Sequence, residues 1–189
     1  CYNMLKNIRQ RKEVITMKWG IIGAMPSEVT LLKQQMQDIC EVNVGRQVFW
    51  EGILCNQEVV VSSCGIGKVN AAITAQMMID RFGAQRIINT GIAGAIHHDL
   101  KVLDVVVSRE LCYHDYNARF LRDYPPYIDS IRASDLMIEA AVEAFEAIDH
   151  GSSCCFVGKF ASGDQFIESS EVKNKIVEEH HPMLSLIHI

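Results

Sequence analysis

Little in this 189-residue chain favours nucleic acid, a membrane or a metal. Its net charge is −5, so it has no basic excess with which to hold a phosphate backbone or an anionic membrane surface. No apolar run approaches the ~18 residues that a membrane-crossing helix needs. Asn7 to Glu13 is polar where a secretory signal would carry an apolar stretch, so no signal peptide is expected. The seven cysteines are an odd number without any C-x-x-C spacing, which argues against a disulfide scaffold or a zinc ribbon. Reduced, mostly buried thiols in a cytoplasm are expected instead. His97–His98 and His180–His181 are adjacent pairs, and neighbours on a helix or strand point apart, so no metal site is expected.

The two ends differ from the rest of the chain. Residues 1–16 carry Lys6, Arg9, Arg11 and Lys12 with no amphipathic period, and an apolar run begins just after Met17. Codons for Arg11-Lys12-Glu13-Val14 can read as a purine-rich ribosome-binding run, which makes Met17 the expected initiator and 1–16 a translated leader or disordered segment. At the other end, Leu184 to Ile189 is what a transposase-adapter sequence encodes, so 183–189 is expected to be a non-native tail. A native apolar terminal strand is the alternative.

Between these ends, 49% hydrophobic and 22% charged residues suit one globular domain, expected over 17–182. Lys18–Ala24 reads as a buried strand, and Pro26, Ser27 and Glu28 open a helix to about Gln37. Gln47–Leu54 and Glu58–Ser63 alternate as a hairpin. Lys68–Phe82 reads as a helix closed by Gly83. Strands follow at Arg86–Asn89, Leu103–Ser108 and about Ser153–Gly158, with a loop at Thr90–Gly94. Ser134 is expected to cap a helix burying Leu136, Met137, Ala140, Ala141, Ala144, Phe145 and Ile148, and a last helix lies near Ser170–His180. Strands alternating with helices indicate an α/β fold with a mixed, largely parallel sheet.

The motifs are individually weak. Gly65-Ile66-Gly67-Lys68 lacks the spacing of a phosphate loop, and Val69 follows the lysine where a magnesium-binding hydroxyl would stand, so a tight strand-to-helix turn explains it better. Thr90-Gly-Ile-Ala-Gly94 lets a ligand approach the backbone at a strand's carboxyl end. Glu28 lies in a helix's first turn, where an anion is stabilised, although an ordinary solvent-facing glutamate fits that position too.

In order, however, Gly20-Ile-Ile-Gly-Ala-Met-Pro-Ser-Glu28-Val-Thr-Leu-Leu32, Ser63-Cys-Gly-Ile-Gly-Lys-Val69, Ile88-Asn-Thr-Gly-Ile-Ala-Gly94, Tyr113-His-Asp115 and Ser162-Gly-Asp-Gln-Phe-Ile167 form a series. It resembles the signatures of the 5′-methylthioadenosine/S-adenosylhomocysteine nucleosidases over Met17 to about Pro182. The resemblance implies a three-layer nucleoside phosphorylase-like fold around a central mixed sheet, here missing its last strands and helix. It implies a homodimer in the cytoplasm that needs no cofactor and releases adenine from small thio-nucleosides. By the same resemblance Glu28 matches the acid that activates water, and Met25 and Ile66 match residues around the ribose and its 5′-thio group. Ala93 and Gly94 match backbone lining the nucleoside pocket, while Ile92 stands where some relatives carry serine. Phe166 matches the ring stacked on adenine, and Ile167 the residue whose backbone reads its edge. Phe120 resembles the aromatic that reaches into a neighbouring subunit's pocket, with a spacing from Tyr113 one residue short. The family's leaving-group aspartate and Met-Glu pair would lie beyond this chain's end, so the fragment is expected to be inactive. The rivals are a purine nucleoside phosphorylase or futalosine-type hydrolase of the same fold, and a non-catalytic nucleoside-binding module.

Overall fold

The computed structural model describes residues 17–167 and 169–186. The expected leader and residues 187–189 of the expected tail lie outside the described residues. The chain divides into two compact units, one formed by 17–64 with 73–90 and the other by 65–72 with 91–186.

The first unit contains a five-stranded sheet in the order β2-β3-β4-β1-β5. Its strands are β1 (Trp19–Gly23), β2 (Gln37–Val44), β3 (Gln47–Leu54), β4 (Gln57–Ser63) and β5 (Arg86–Asn89). β3 and β4 form the antiparallel hairpin expected from their alternation, while β1 runs parallel to both β4 and β5. β2 was not apparent in the sequence. It is an edge strand with most of its residues exposed, so it carries no apolar stripe to mark it.

Helix α1 (Pro26–Gln35) ends two residues before the expected boundary, as the chain turns extended at Met36. It packs on β1, β3 and β4, and buried Val29 joins Ile21, Met36, Val59 and Val61 in the core. Burying each such side chain contributes about 1.5–3 kcal/mol. The hydroxyl of fully buried Ser62 is satisfied, accepting from Gln47 Nε2 at 2.7 Å and donating to the Val48 carbonyl at 2.7 Å. Helix α2 (Lys68–Asp80) ends short of Phe82, and Gly83, at φ +71°, makes the turn after it.

The second unit has its own five-stranded sheet, β6-β10-β9-β7-β8. These are β6 (Gly94–Ala95), β7 (Val105–Tyr113), β8 (Ile131–Arg132), β9 (Cys155–Ser162) and β10 (Leu184–Leu186). β9 is parallel to β7 and to β10, and the outer pairs β7–β8 and β10–β6 are antiparallel. The fold is therefore mixed α/β with mixed sheets, as the alternation of elements indicates. Gly94 lies in a short strand paired with Ser185 rather than in a loop.

β7 runs five and β9 four residues past their expected carboxyl ends, and one pairing explains both. Charged Glu110 and Lys159 read as loop residues, but they are register partners joined by a 3.3 Å ion pair. β7 also starts later than expected, because Leu103 adopts φ +78°.

Three helices complete this unit: α3 (Ala118–Asp123), α4 (Asp135–Glu146) and α5 (Ser170–His180). Ser134 stands at the cap position of α4, but its side chain makes no capping hydrogen bond. The face that α4 turns to β7 and β9 also differs from the expected one. Leu136 is 68% and Ile148 61% exposed, while Met137, Ile138, Val142 and Phe145 are half-buried. The thiols differ as well. Of the six described cysteines, only Cys64 and Cys112 are buried. Among the described residues no helix is long and apolar enough to cross a membrane.

Candidate functional site

Met25 and Glu28 lie at the start of α1 in the first unit. Met25 is the residue before the helix, and Pro26 occupies a first-turn position where its missing N–H costs nothing. Glu28 Oε2 accepts the Met25 N–H at 2.8 Å, and the Glu28 N–H donates to the Met25 carbonyl at 3.1 Å. The half-buried carboxylate is thus fixed at the positive end of the helix. Gly23 allows this approach: a Cβ there would lie 2.9 Å from Val29 Cγ1 and 3.0 Å from Glu28 Cβ. Cys64 follows β4, its N–H donating to the Gly23 carbonyl at 2.8 Å. Burial pushes the Cys64 thiol pKa up. Its backbone hydrogen bond pulls the other way, and the Glu28 charge adds to the rise. Neither Gly23 nor Cys64 stands out in the sequence except as part of a motif.

The remaining expected site residues belong to the second unit. Ile66, 59% exposed, lines an open depression of about 320 Å³ with Gly67, Val69, Asn70 and Asp164. Ala93 and Gly94 are exposed at β6. Phe120 is 53% exposed on α3, its ring 6.0 Å from that of Tyr124. Phe166 and Ile167 follow β9. The Phe166 ring is 73% exposed, whereas Ile167 packs on the cluster of Cys112, Ala161 and Ile176.

Sequence reasoning did not foresee how three of the motifs are joined. β7 and β9 are parallel neighbours whose ends pair Tyr113 with Ser162, so His114-Asp115 and Gly163-Asp164 leave adjacent strand ends. Asp115 Oδ1 accepts from Lys68 Nζ at 2.5 Å, and its Oδ2 accepts the Asp164 N–H at 2.7 Å. Asp164 Oδ1 in turn accepts the Lys68 N–H at 2.7 Å, satisfying a free donor at the start of α2. A glycine-rich turn that could hold a phosphate is therefore occupied by the protein's own carboxylate. The signal in the sequence was three polar or glycine motifs at strand ends; their pairing required the topology.

Charge follows from this wiring. Burial alone would raise the Asp115 carboxyl, but its bonds to Lys68 and the Asp164 N–H hold it below the usual range. Burial lowers the His114 pKa, with Lys68 and His180 pushing the same way and Asp115 opposing.

The adjacent histidines also differ from expectation. Residues 97–99 form a turn rather than a helix or strand, so the His97 and His98 rings stack at 4.5 Å instead of pointing apart. Donor atoms of His97, His98 and Asp99 lie within 4.8 Å of one another, all on exposed residues.

Comparison with known proteins supplies a family. The model of the phosphorylase superfamily matches residues 18–184. A 5′-methylthioadenosine/S-adenosylhomocysteine nucleosidase of Staphylococcus epidermidis is 38% identical over 164 residues, covering 85% of this chain and 71% of the relative. The crystal structure of a nucleosidase of the same name from Colwellia psychrerythraea, in complex with adenine, superposes with a TM-score of 0.85 at 32% identity. That match covers 92% of this chain and 73% of the other. A futalosine hydrolase of Helicobacter pylori matches with a TM-score of 0.80 at 31% identity, over 93% and 76% of the two chains.

Proposed function

Because this chain belongs to the phosphorylase superfamily and, within it, to the 5′-methylthioadenosine/S-adenosylhomocysteine nucleosidases, we propose that it hydrolyses the N-ribosidic bond of those two thio-nucleosides and releases adenine. Water adds to the anomeric carbon as the bond to adenine breaks, and the base leaves with the bonding pair. Glu28 takes the proton from the attacking water, a role suited to a carboxylate held in one position. Phe166 stacks on the adenine ring, and the Ile167 backbone hydrogen-bonds to its edge. Met25 and Ile66 contact the ribose and its 5′-thio substituent, and Ala93 and Gly94 line the pocket with backbone. Asp164, one of whose carboxylate oxygens caps Lys68, is assigned no role as the acid that protonates the leaving adenine.

The observation that carries this reading is the fixed carboxylate of Glu28 at the start of α1. A carboxylate there repels phosphate and suits water, which favours hydrolysis over phosphorolysis. A futalosine-type hydrolase is the second reading, on the strength of a TM-score of 0.80. We place the protein in the cytoplasm as a homodimer, with exposed Phe120 reaching into the partner's pocket. The exposed thiols of Cys40, Cys55 and Cys154 suit a reducing compartment. Ultraviolet assay of adenine release from methylthioadenosine, with and without phosphate and in competition with futalosine, separates the readings. Release that is independent of phosphate and insensitive to futalosine supports the nucleosidase. A phosphate requirement contradicts it.

A further inference from the structure

We propose that Asp115 is a positioning residue that, through Lys68 and the Asp164 N–H, fixes the 163–167 segment in the geometry that receives adenine. This rests on the adenine-binding roles given above to Phe166 and Ile167.

The Phe166 ring is 73% exposed, so little packing holds it, and its position depends on the backbone to either side. On the carboxyl side Ile167 anchors the segment in the core beside Cys112, Ala161 and Ile176. On the amino side the anchor is polar. The His114 N–H donates to the Ser162 carbonyl at 3.0 Å, and one residue further the Asp115 carboxylate accepts the Asp164 N–H at 2.7 Å. The same carboxylate binds Lys68 Nζ at 2.5 Å, and Asp164 returns to the Lys68 N–H at 2.7 Å. Three residues from three motifs thus close a ring of hydrogen bonds.

Two features make that ring stiff. The side chains of Lys68 and Asp115 are only 19% and 12% exposed, so their attraction is weakly screened by water. Lys68 Nζ also lies 4.7 Å from the centre of the Tyr113 ring. Gly163 has no space for a side chain, since a Cβ would lie 2.4 Å from His114 Cε1 and 2.9 Å from Asp115 Cγ. The segment is therefore closed against the Asp115 loop, with its polar anchor at Asp164 two residues before the Phe166 ring.

The test uses Asp115→Asn and Lys68→Met, which break the ring from opposite sides, with Lys68→Arg as the variant that keeps the charge. If one of the first two fails to fold, the other still reads the same contact. Adenine affinity is measured by calorimetry beside hydrogen exchange of the 164–167 amides, with β4 amides as control. Loss of a charge-assisted bond predicts about tenfold weaker adenine binding and about tenfold faster exchange in 164–167 alone. Lys68→Arg should retain most of the affinity. Unchanged exchange in 164–167, or faster exchange with undiminished adenine affinity, overturns the positioning role while leaving the nucleosidase reading intact. If the unmutated chain takes up no adenine, the roles of Phe166 and Ile167 fall, and this proposal falls with them.

Discussion

Glu28 and Gly23 are in close approach: a Cβ on Gly23 would sit 3.0 Å from Glu28 Cβ and 3.4 Å from Glu28 Oε2. The end of β1 and the first turn of α1 are therefore fitted to one another, and the carboxylate's position depends on an absent side chain. Gly23→Ala is expected to push the helix start outward, costing about 1–3 kcal/mol of stability as overpacking does. It should lower turnover more than it weakens nucleoside binding, because the displaced group is the proposed base. Thermal melts and steady-state kinetics read the two effects. A variant with normal stability and normal turnover would show that the close approach is dispensable.

Phe166 gives a cleaner separation of binding from folding. With the ring 73% exposed, Phe166→Ala removes little buried surface, so the melting temperature should hardly move. Affinity for adenine nucleosides should fall by about 1–3 kcal/mol, the range for a lost base–aromatic stack. Calorimetry showing unchanged affinity would remove the ring from the site.

Acid should loosen the second unit before it harms the first. His114 and His180 both have pKa values lowered, by burial first. Around His114 stand Asp115, Lys68 and His180, and around His180 stand Glu179, Lys159 and His181. A histidine whose folded pKa lies below its unfolded one resists protonation in the native state. Stability is then full above the ordinary value of ~6.5 and declines as pH falls below it. Asp115, also held low, adds a further loss at more acid pH. Hydrogen exchange at pH 7 and pH 5.5 should show β7 and β9 losing protection, and His114→Gln should lessen the loss. Equal protection at both pH values would contradict this.

Local rules made much of the first unit legible. Pro26 and Glu28 marked the start of α1, and alternation in Gln47–Leu54 gave β3 its observed bounds. The strand expected at Arg86–Asn89 likewise matched β5. What failed was pairing across the chain. Glu110 and Lys159 each look like a strand terminator until the register sets them side by side. Exposed β2 has no buried face to betray it. At the site, residue types pointed to Glu28, but the bonds joining Lys68, Asp115 and Asp164 span 47 to 96 residues. No local pattern encodes such contacts.

The most direct test of the account is Glu28→Gln, which keeps size and hydrogen bonding but cannot take a proton from water. The aligned segment spans 71% of the Staphylococcus epidermidis relative. Adenine release from methylthioadenosine is therefore assayed both in this chain and in the chain continued through the rest of that relative's sequence. The account predicts that the substitution lowers release by about 10²–10⁴-fold wherever the parent is active, with nucleoside affinity nearly unchanged. Residual activity within about tenfold of the parent, less than a proton-transfer group contributes, would remove Glu28 from the base role.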